Sequence, residues 1–543
     1  MTCAHSPLLK NLLARADKLI HYAWLAPVFL VLLNAFLTLP EVLMQRLYPW
    51  DDALYAANGI FFLTLFQNLP AVIADPMTWM TEYYHQYPAL FVRRQPPLFG
   101  VVESGIYAAF GPSPVTAKLT VFLFSTLFVV GWYFALRAWT RRTSIAFLAT
   151  LLTVTLPMTV QQSTAIRPDI PALTLFVWAL YWFRTYQDSL QGRRMYALLI
   201  AATLAGSLYT YQLPMFGVVA LFVYWIVTDW PAILKRGDAY LLTGTFTLLM
   251  IPLVVFTLKF AFDNVAGVVG PTVKDFEVFV PVDSKSDPRY WLHYLGMAWD
   301  IYRLPTLGLI LWAVTRFRNP VKNWEVFFVI SILTAYFGYS VFPSKGDRYA
   351  YYFVLPMLPL AAAAIVDLWG WAARSRPIVR LLPLCIIGAA VTWNVIGIPG
   401  ARSPQVTGFD GVAREIVSTF GSGNALYHGR FESAFIYYLR KEDPARQFRV
   451  LRSGNEITDP ANLGSALDKQ GIDLVLMQGQ ITQKGNGYPE IYQPLFTKLS
   501  DLLASPDSPY RLWREFKIKY GAPGAENDVL LQVFVRQNLH GKK

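Results

Sequence analysis

Two adjacent carboxylates, Asp51 and Asp52, stand in YPWDDALYAANG immediately after the first long apolar segment. A carboxylate where a membrane helix meets water is charged, partly desolvated and close to lipid headgroups at once. That setting suits a base acting on a lipid-borne substrate. Downstream, still before the next apolar run, lies a polar stretch carrying RRQPPL, with Arg93 and Arg94 ahead of the Pro-Pro turn. Further cations, Lys345 and Arg348, sit in SKGDRY, and an acidic residue, Asp169, follows Pro168. Plainer roles are open to each group. Asp51-Asp52 can be a solvated helix-end pair, Asp169 a helix N-terminal anion, and the basic residues headgroup anchors. Glu82 and His85 have a metal-chelating spacing, but two ligands make no site.

The elements that must position these residues are mostly apolar. Of 543 residues 55% are hydrophobic, 15% aromatic and only 15% charged, and the mean hydropathy is +0.36. Soluble domains carry about 25% charged residues, so this is a membrane composition. The net charge of +12 comes from basic clusters in short loops, at Arg141-Arg142, Arg193-Arg194, Lys235-Arg236, Arg316/Arg318/Lys322 and Arg374/Arg376/Arg380. Alternate loops are enriched, as the positive-inside rule expects, and no nucleic-acid partner is implied. Cys3 and Cys385 cannot build a disulfide framework.

Apolar runs at roughly 21–45, 116–137, 144–163, 169–186, 196–212, 214–230, 240–262, 296–315, 325–343, 349–370 and 380–398 predict about eleven transmembrane helices. Lys10, Arg15 and Lys18 place the N-terminus in the cytoplasm. The long loop 46–115 then falls on the outer face, with 164–168, 263–295, 343–348 and everything beyond residue 400. The outer loop's aromatics, among them Tyr55, Trp79, Tyr83 and Tyr87, suit short helices in the membrane interface. Its length marks it as an ordered, functional segment. From about residue 400 the composition turns polar. Strand-like runs at ALYHG, QFRVL, IDLVLMQG and DVLLQVFV alternate with helix-like ESAFIYYLRK and ITDPANLGSALDKQ, capped by Thr458 or Asp459. The expected architecture is therefore a polytopic α-helical membrane domain, residues 1–399, followed by a small soluble α/β domain, residues 400–543.

The order of the short motifs carries a resemblance. DDALY follows the first helix, PPL precedes the second, RPDIP closes the third, and SKGDRYAYYFVLPMLPL brings S-K-x-x-R-Y into a helix with Pro-x-x-Pro. Over about residues 20–370 the chain resembles the GT-C membrane glycosyltransferases. It is most similar to the bacterial branch of lipid A aminoarabinose transferases and lipopolysaccharide-core galacturonosyltransferases, with the protein O-mannosyltransferases as more distant relatives.

The resemblance implies a polyprenyl-phosphate sugar donor, membrane lipids as surroundings, a cell-envelope acceptor and an inverting displacement at the periplasmic face of a bacterial inner membrane. It implies Asp51, Asp52 and Asp169 as the catalytic carboxylates, with Asp51 as the base. Tyr55, Arg93, Arg94, Lys345 and Arg348 become the substrate-binding residues, the cations stabilising the leaving phosphate. Many relatives have Lys before the Pro-Pro turn where this chain has Gln95, and Asp-Glu where it has Asp-Asp. Adjacent carboxylates offer a divalent ion only an incomplete site, so no cofactor is expected to be required. The alternative function is a polytopic transporter or flippase of envelope lipids or glycans. That class should show internal repeats and charges near mid-span. The sequence has no repeat, and few charges lie inside the expected spans, those such as Lys118, Lys259 and Asp367 towards span ends. A third alternative is a non-catalytic assembly protein with the same fold.

Overall fold

The computed structural model describes residues 24–48, 51–90, 95–189, 191–267, 288–317, 319–341, 346–374, 379, 381–453, 457, 462–479, 493–522 and 524–537. Helices run through each stretch expected to span the membrane. Among the described residues, five are long and apolar enough to cross alone: Leu25–Val42, Pro114–Thr140, Gly237–Leu258, Asn323–Val341 and Leu382–Ala401. Two bent pairs raise this to seven. Several of these helices expose large apolar side chains, including Phe36, Leu127, Leu248, Phe337 and Ile396, as a lipid-facing surface requires. The chain is a multi-pass membrane protein.

Both bends follow from proline. Thr143–Thr155 meets Pro157–Thr164 at 64°, with Leu156 held extended at φ −63°, ψ 125°. Pro157 lacks a backbone donor and disfavours helical geometry in the residue before it. The second pair, Arg348–Val354 and Met357–Ala372, bends by 40° around Pro356. Each break turns a helix end towards the residues singled out for chemistry.

Within the loop 46–115 the described residues form Asp51–Gln67, Leu69–Ala74, Pro76–Gln86 and Leu98–Phe110. Asp75 caps the third by accepting from the Thr78 amide at 3.1 Å. Phe66, Leu69, Ile73 and Met77 stay exposed on adjoining pieces, the apolar surface expected of interfacial helices. Asp51–Gln67 packs on Leu98–Phe110 where Gly59 faces Glu103 and Tyr107. A Cβ at Gly59 would stand 2.5 Å from the Glu103 carboxyl, so only glycine permits this approach.

From Gln405 onward the chain builds one six-stranded sheet, ordered β1-β5-β6-β4-β2-β3. The strands are β1 (Gln405–Thr407), β2 (Gly423–His428), β3 (Phe448–Arg452), β4 (Leu474–Gln478), β5 (Tyr510–Ala522) and β6 (Ala525–Arg536). β2 pairs in parallel with β3 and β4, while β6 is antiparallel to β4 and β5. The four strand-like runs became β2, β3, β4 and β6, and ESAFIYYLRK lies in the helix Glu432–Glu442. The ITDPANLGSALDKQ run is helical over Leu463–Lys469, and its expected caps Thr458 and Asp459 lie outside the described residues.

His428, at the end of β2, is fully buried and shares a 2.7 Å hydrogen bond with Ser453 Oγ through Nδ1. Burial pushes its pKa down from 6.5 to about 4. The unfolded chain therefore binds a proton here that the native domain refuses. Stability from this group is complete above pH 6.5 and is lost as pH falls towards 4, a change of about 3 kcal/mol. In the full-length protein, acid-induced opening of β2 and β3, followed by amide exchange, is expected to weaken in His428→Gln. An unchanged pH dependence would rule His428 out as its source.

Candidate active site

Three elements converge on the two carboxylates. The helix Asp51–Gln67 presents Asp51 and Asp52 in its first turn, where the helix dipole favours negative charge. The two side chains then part. Asp51 Oδ2 pairs with the Arg348 guanidinium at 2.9 Å, and both partners are about a third exposed, at 30% and 27%. Asp52 is fully enclosed; it accepts from the Ile166 amide at 2.9 Å and from Arg167 Nε at 3.3 Å.

The proline-rich turn after Pro157–Thr164 supplies Arg167 and, two residues on, Asp169. Asp169 is buried, and its Oδ1 accepts from the Tyr352 hydroxyl at 3.1 Å. Its Oδ2 is buried with no hydrogen-bond partner among the described residues. A carboxylate oxygen left this way costs free energy unless a ligand satisfies it. The late motif supplies Arg348, which also lies over the Tyr349 ring at 5.3 Å. Tyr349 stacks against Tyr339 at 5.7 Å, and Tyr339 packs against Tyr352. Tyr55 is buried against Phe99, one turn below Asp51 and within its electrostatic reach.

Asp51, Arg348, Asp169 and Tyr55 fall in one neighbourhood. Asp52, expected among the catalytic carboxylates, is fully enclosed and faces Arg167 and the Ile166 amide. Arg93, Arg94 and Lys345 lie outside the described residues. Arg167 and Tyr352 join the cluster, from within the motifs RPDIP and DRYAYY. No group of three or more His, Cys, Asp or Glu side chains among the described residues could hold a metal ion.

Complete burial pushes the Asp52 carboxyl up to about 6, with Arg167 and the Ile166 amide pulling it back. Between pH 3.8 and 6 the folded protein holds a proton that the unfolded chain has released. Stability from this group therefore falls as pH rises through that window. The full Asp52–Arg167 ion pair forms only above it. Turnover is expected to rise through about pH 6 as this pair forms, and Asp52→Asn is expected to remove that limb of the pH–rate profile. A limb that persists in the variant would assign it elsewhere.

Tyr352 and Tyr339 also line a mostly apolar cleft, together with Trp132, Phe176, Phe216 and Phe328 among others. The same two tyrosines touch the polar cluster, Tyr352 through Asp169 and Tyr339 through Tyr349.

A family model described as dolichyl-phosphate-mannose-protein mannosyltransferase matches residues 94–256. Among solved structures, ArnT from Cupriavidus metallidurans bound to undecaprenyl phosphate is similar at a TM-score of 0.56 and 15% identity. That match covers 93% of this chain and 97% of the other. The apo oligosaccharyltransferase of Archaeoglobus fulgidus is similar at a TM-score of 0.58 and 11% identity, over 91% of this chain and 80% of that one. The arabinofuranosyltransferase AftD from Mycobacteria gives 0.54 and 13% identity, over 94% of this chain and 41% of that one. No curated protein matches the chain. These likenesses establish the fold shared by those membrane transferases, and they support the GT-C resemblance read from the motifs.

Proposed function

We propose that this chain is an integral-membrane glycosyltransferase that moves a sugar from a polyprenyl phosphate to a cell-envelope acceptor at the periplasmic face. The observation that carries this reading is the half-open Asp51–Arg348 pair beside the buried, one-sidedly satisfied Asp169. The undecaprenyl phosphate bound in the structurally similar ArnT supports the donor class.

The donor's phosphate would compete with Asp51 for Arg348, whose planar fork suits phosphate oxygens. As the guanidinium turns to the phosphate, Asp51 is released to act as a base. The acceptor hydroxyl gives its proton to Asp51 while its oxygen bonds the anomeric carbon. The bond from that carbon to the phosphate oxygen breaks, and the electron pair leaves with the polyprenyl phosphate. One displacement inverts the anomeric centre. The described cluster holds three carboxylates and two arginines, so the incoming phosphate needs further cations. Arg93, Arg94 and Lys345 are the candidates from the sequence. The apolar cleft would take the first isoprene units of the donor lipid. Asp51 and Asp52 diverge towards different arginines and do not converge on one ion, so no divalent metal is proposed.

The test is transfer of labelled sugar from a panel of polyprenyl-phosphate donors by purified, reconstituted protein, with and without a chelator. Consumption of one donor, insensitive to chelation, is the expected result. Movement of intact donor across the bilayer without cleavage would overturn the transferase reading in favour of a flippase.

A further inference from the structure

The helix that carries Asp51 and Asp52 is gripped from outside the membrane domain at both of its ends. Ahead of Asp51, the chain between the first span and this helix meets β1. Val406 donates its amide to Leu47 O at 2.9 Å. Gln405, buried, donates to Glu41 Oε1 at 2.5 Å and accepts from Arg46 at 3.4 Å. Glu41 is in turn held by the buried Lys118 of the second long span, at 3.5 Å. Arg46 also reaches Glu526 on β6, at 3.3 Å.

At the other end a single residue, Arg440, ties three elements together. It lies on Glu432–Glu442 and is 6% exposed. Its guanidinium donates to Thr64 Oγ1, near the end of the carboxylate helix, at 2.8 Å. It also donates to Tyr83 on Pro76–Gln86 at 3.1 Å, and to its own domain at Asp443 O at 2.9 Å. It lies over the rings of Tyr83 and Tyr87. Tyr87 donates to Asp443 Oδ2 at 2.8 Å, and that carboxylate also accepts from the Phe448 amide at the start of β3. Arg446 adds a bond to Gln86 and a contact over the Tyr83 ring.

A guanidinium can satisfy three acceptors in fixed directions. Buried bonds of this kind set position closely, because breaking one leaves a buried donor of the cation without its acceptor. We propose that the C-terminal domain is a clamp that fixes the carboxylate helix against the rest of the site. Arg440 and Gln405 are then positioning residues for sugar transfer, far from the reacting atoms. The inference rests on the transferase reading for its kinetic consequence, but not for its structural one.

The experiment uses full-length protein, comparing wild type with Arg440→Met, the milder Thr64→Val, and the double variant. Hydrogen exchange is expected to rise about tenfold or more across Asp51–Gln67 and Pro76–Gln86 in Arg440→Met, with Pro114–Thr140 unchanged. In the transfer assay kcat is expected to fall about 100-fold, while the donor KM stays within about threefold. Thr64→Val should fall in the same direction, and the double variant should lose less than the two effects combined. Exchange that rises only within the C-terminal domain would overturn the proposal. So would additive losses, or a loss matched by the fraction of unfolded protein. If the wild type transfers no sugar from any donor, the functional reading fails, and the exchange pattern still decides the clamp.

Discussion

Replacing Asp51 by asparagine is expected to lower turnover by about 10²–10⁴-fold, the usual worth of a general base. The substitution keeps the side chain's size and leaves an amide oxygen to face Arg348, 2.9 Å away in the native protein. The fold and donor affinity should therefore survive. The loss should appear in kcat and kcat/KM together, because the proton moves only in the transition state. Asp51→Glu keeps a base but displaces it by a methylene, and should fall between the two. The pair is about a third exposed, so the carboxylate is reachable by an acceptor hydroxyl where Asp52 is not. If Asp51→Asn turns over within about threefold of wild type, the base lies elsewhere.

Arg348→Met is expected to cost about 3 kcal/mol of transition-state stabilisation, roughly 100-fold in rate, by removing the cation that meets the leaving phosphate. Arg348→Lys keeps the charge but not the fork, and is expected to recover only part of the loss. The measurement is the rate with one donor across Arg348, Arg348→Lys and Arg348→Met, at matched folded fractions. A purely structural bridge to Asp51 predicts something else. Arg348→Met and Asp51→Asn would then be equally damaging, and the double variant no worse than either. A phosphate-binding role predicts that the double variant is worse than both.

Much of the architecture is legible in the chain because the bilayer enforces it: long apolar runs have few ways to satisfy their backbone except as helices. Periodicity does not show where those helices break. The 64° turn before Pro157 depends on proline geometry within one continuous apolar stretch. In the C-terminal domain, β5 escaped notice because Arg511, Arg514, Glu515, Lys517 and Lys519 crowd its sequence. It holds its place through pairing with β1 and β6 while one face meets water. β1 is only three residues long, too short for any pattern.

In the candidate site, residue types and motif order pointed to Asp51, Asp169 and Arg348. The resemblance named Asp51 as the base, but nothing in the local sequence shows that the two neighbours differ in exposure. That difference lies in Ile166 and Arg167, more than a hundred residues away, which close over one carboxylate and leave the other open. The partner of Asp169 was equally hidden, since Tyr352 is one of several tyrosines in DRYAYY.

The order of strands in the sheet has a temporal consequence. Within the sheet β1, the first strand made, pairs with β5, and β4 is flanked by β6, which is completed within the last residues of the chain. Synthesis runs from the N-terminus, so the segment ahead of Asp51 lacks its sheet contacts until β5 and β6 have emerged. A nascent or prematurely terminated chain would carry its chemical groups in the membrane without the sheet that seats them. Assembly is thus coupled to completion of translation.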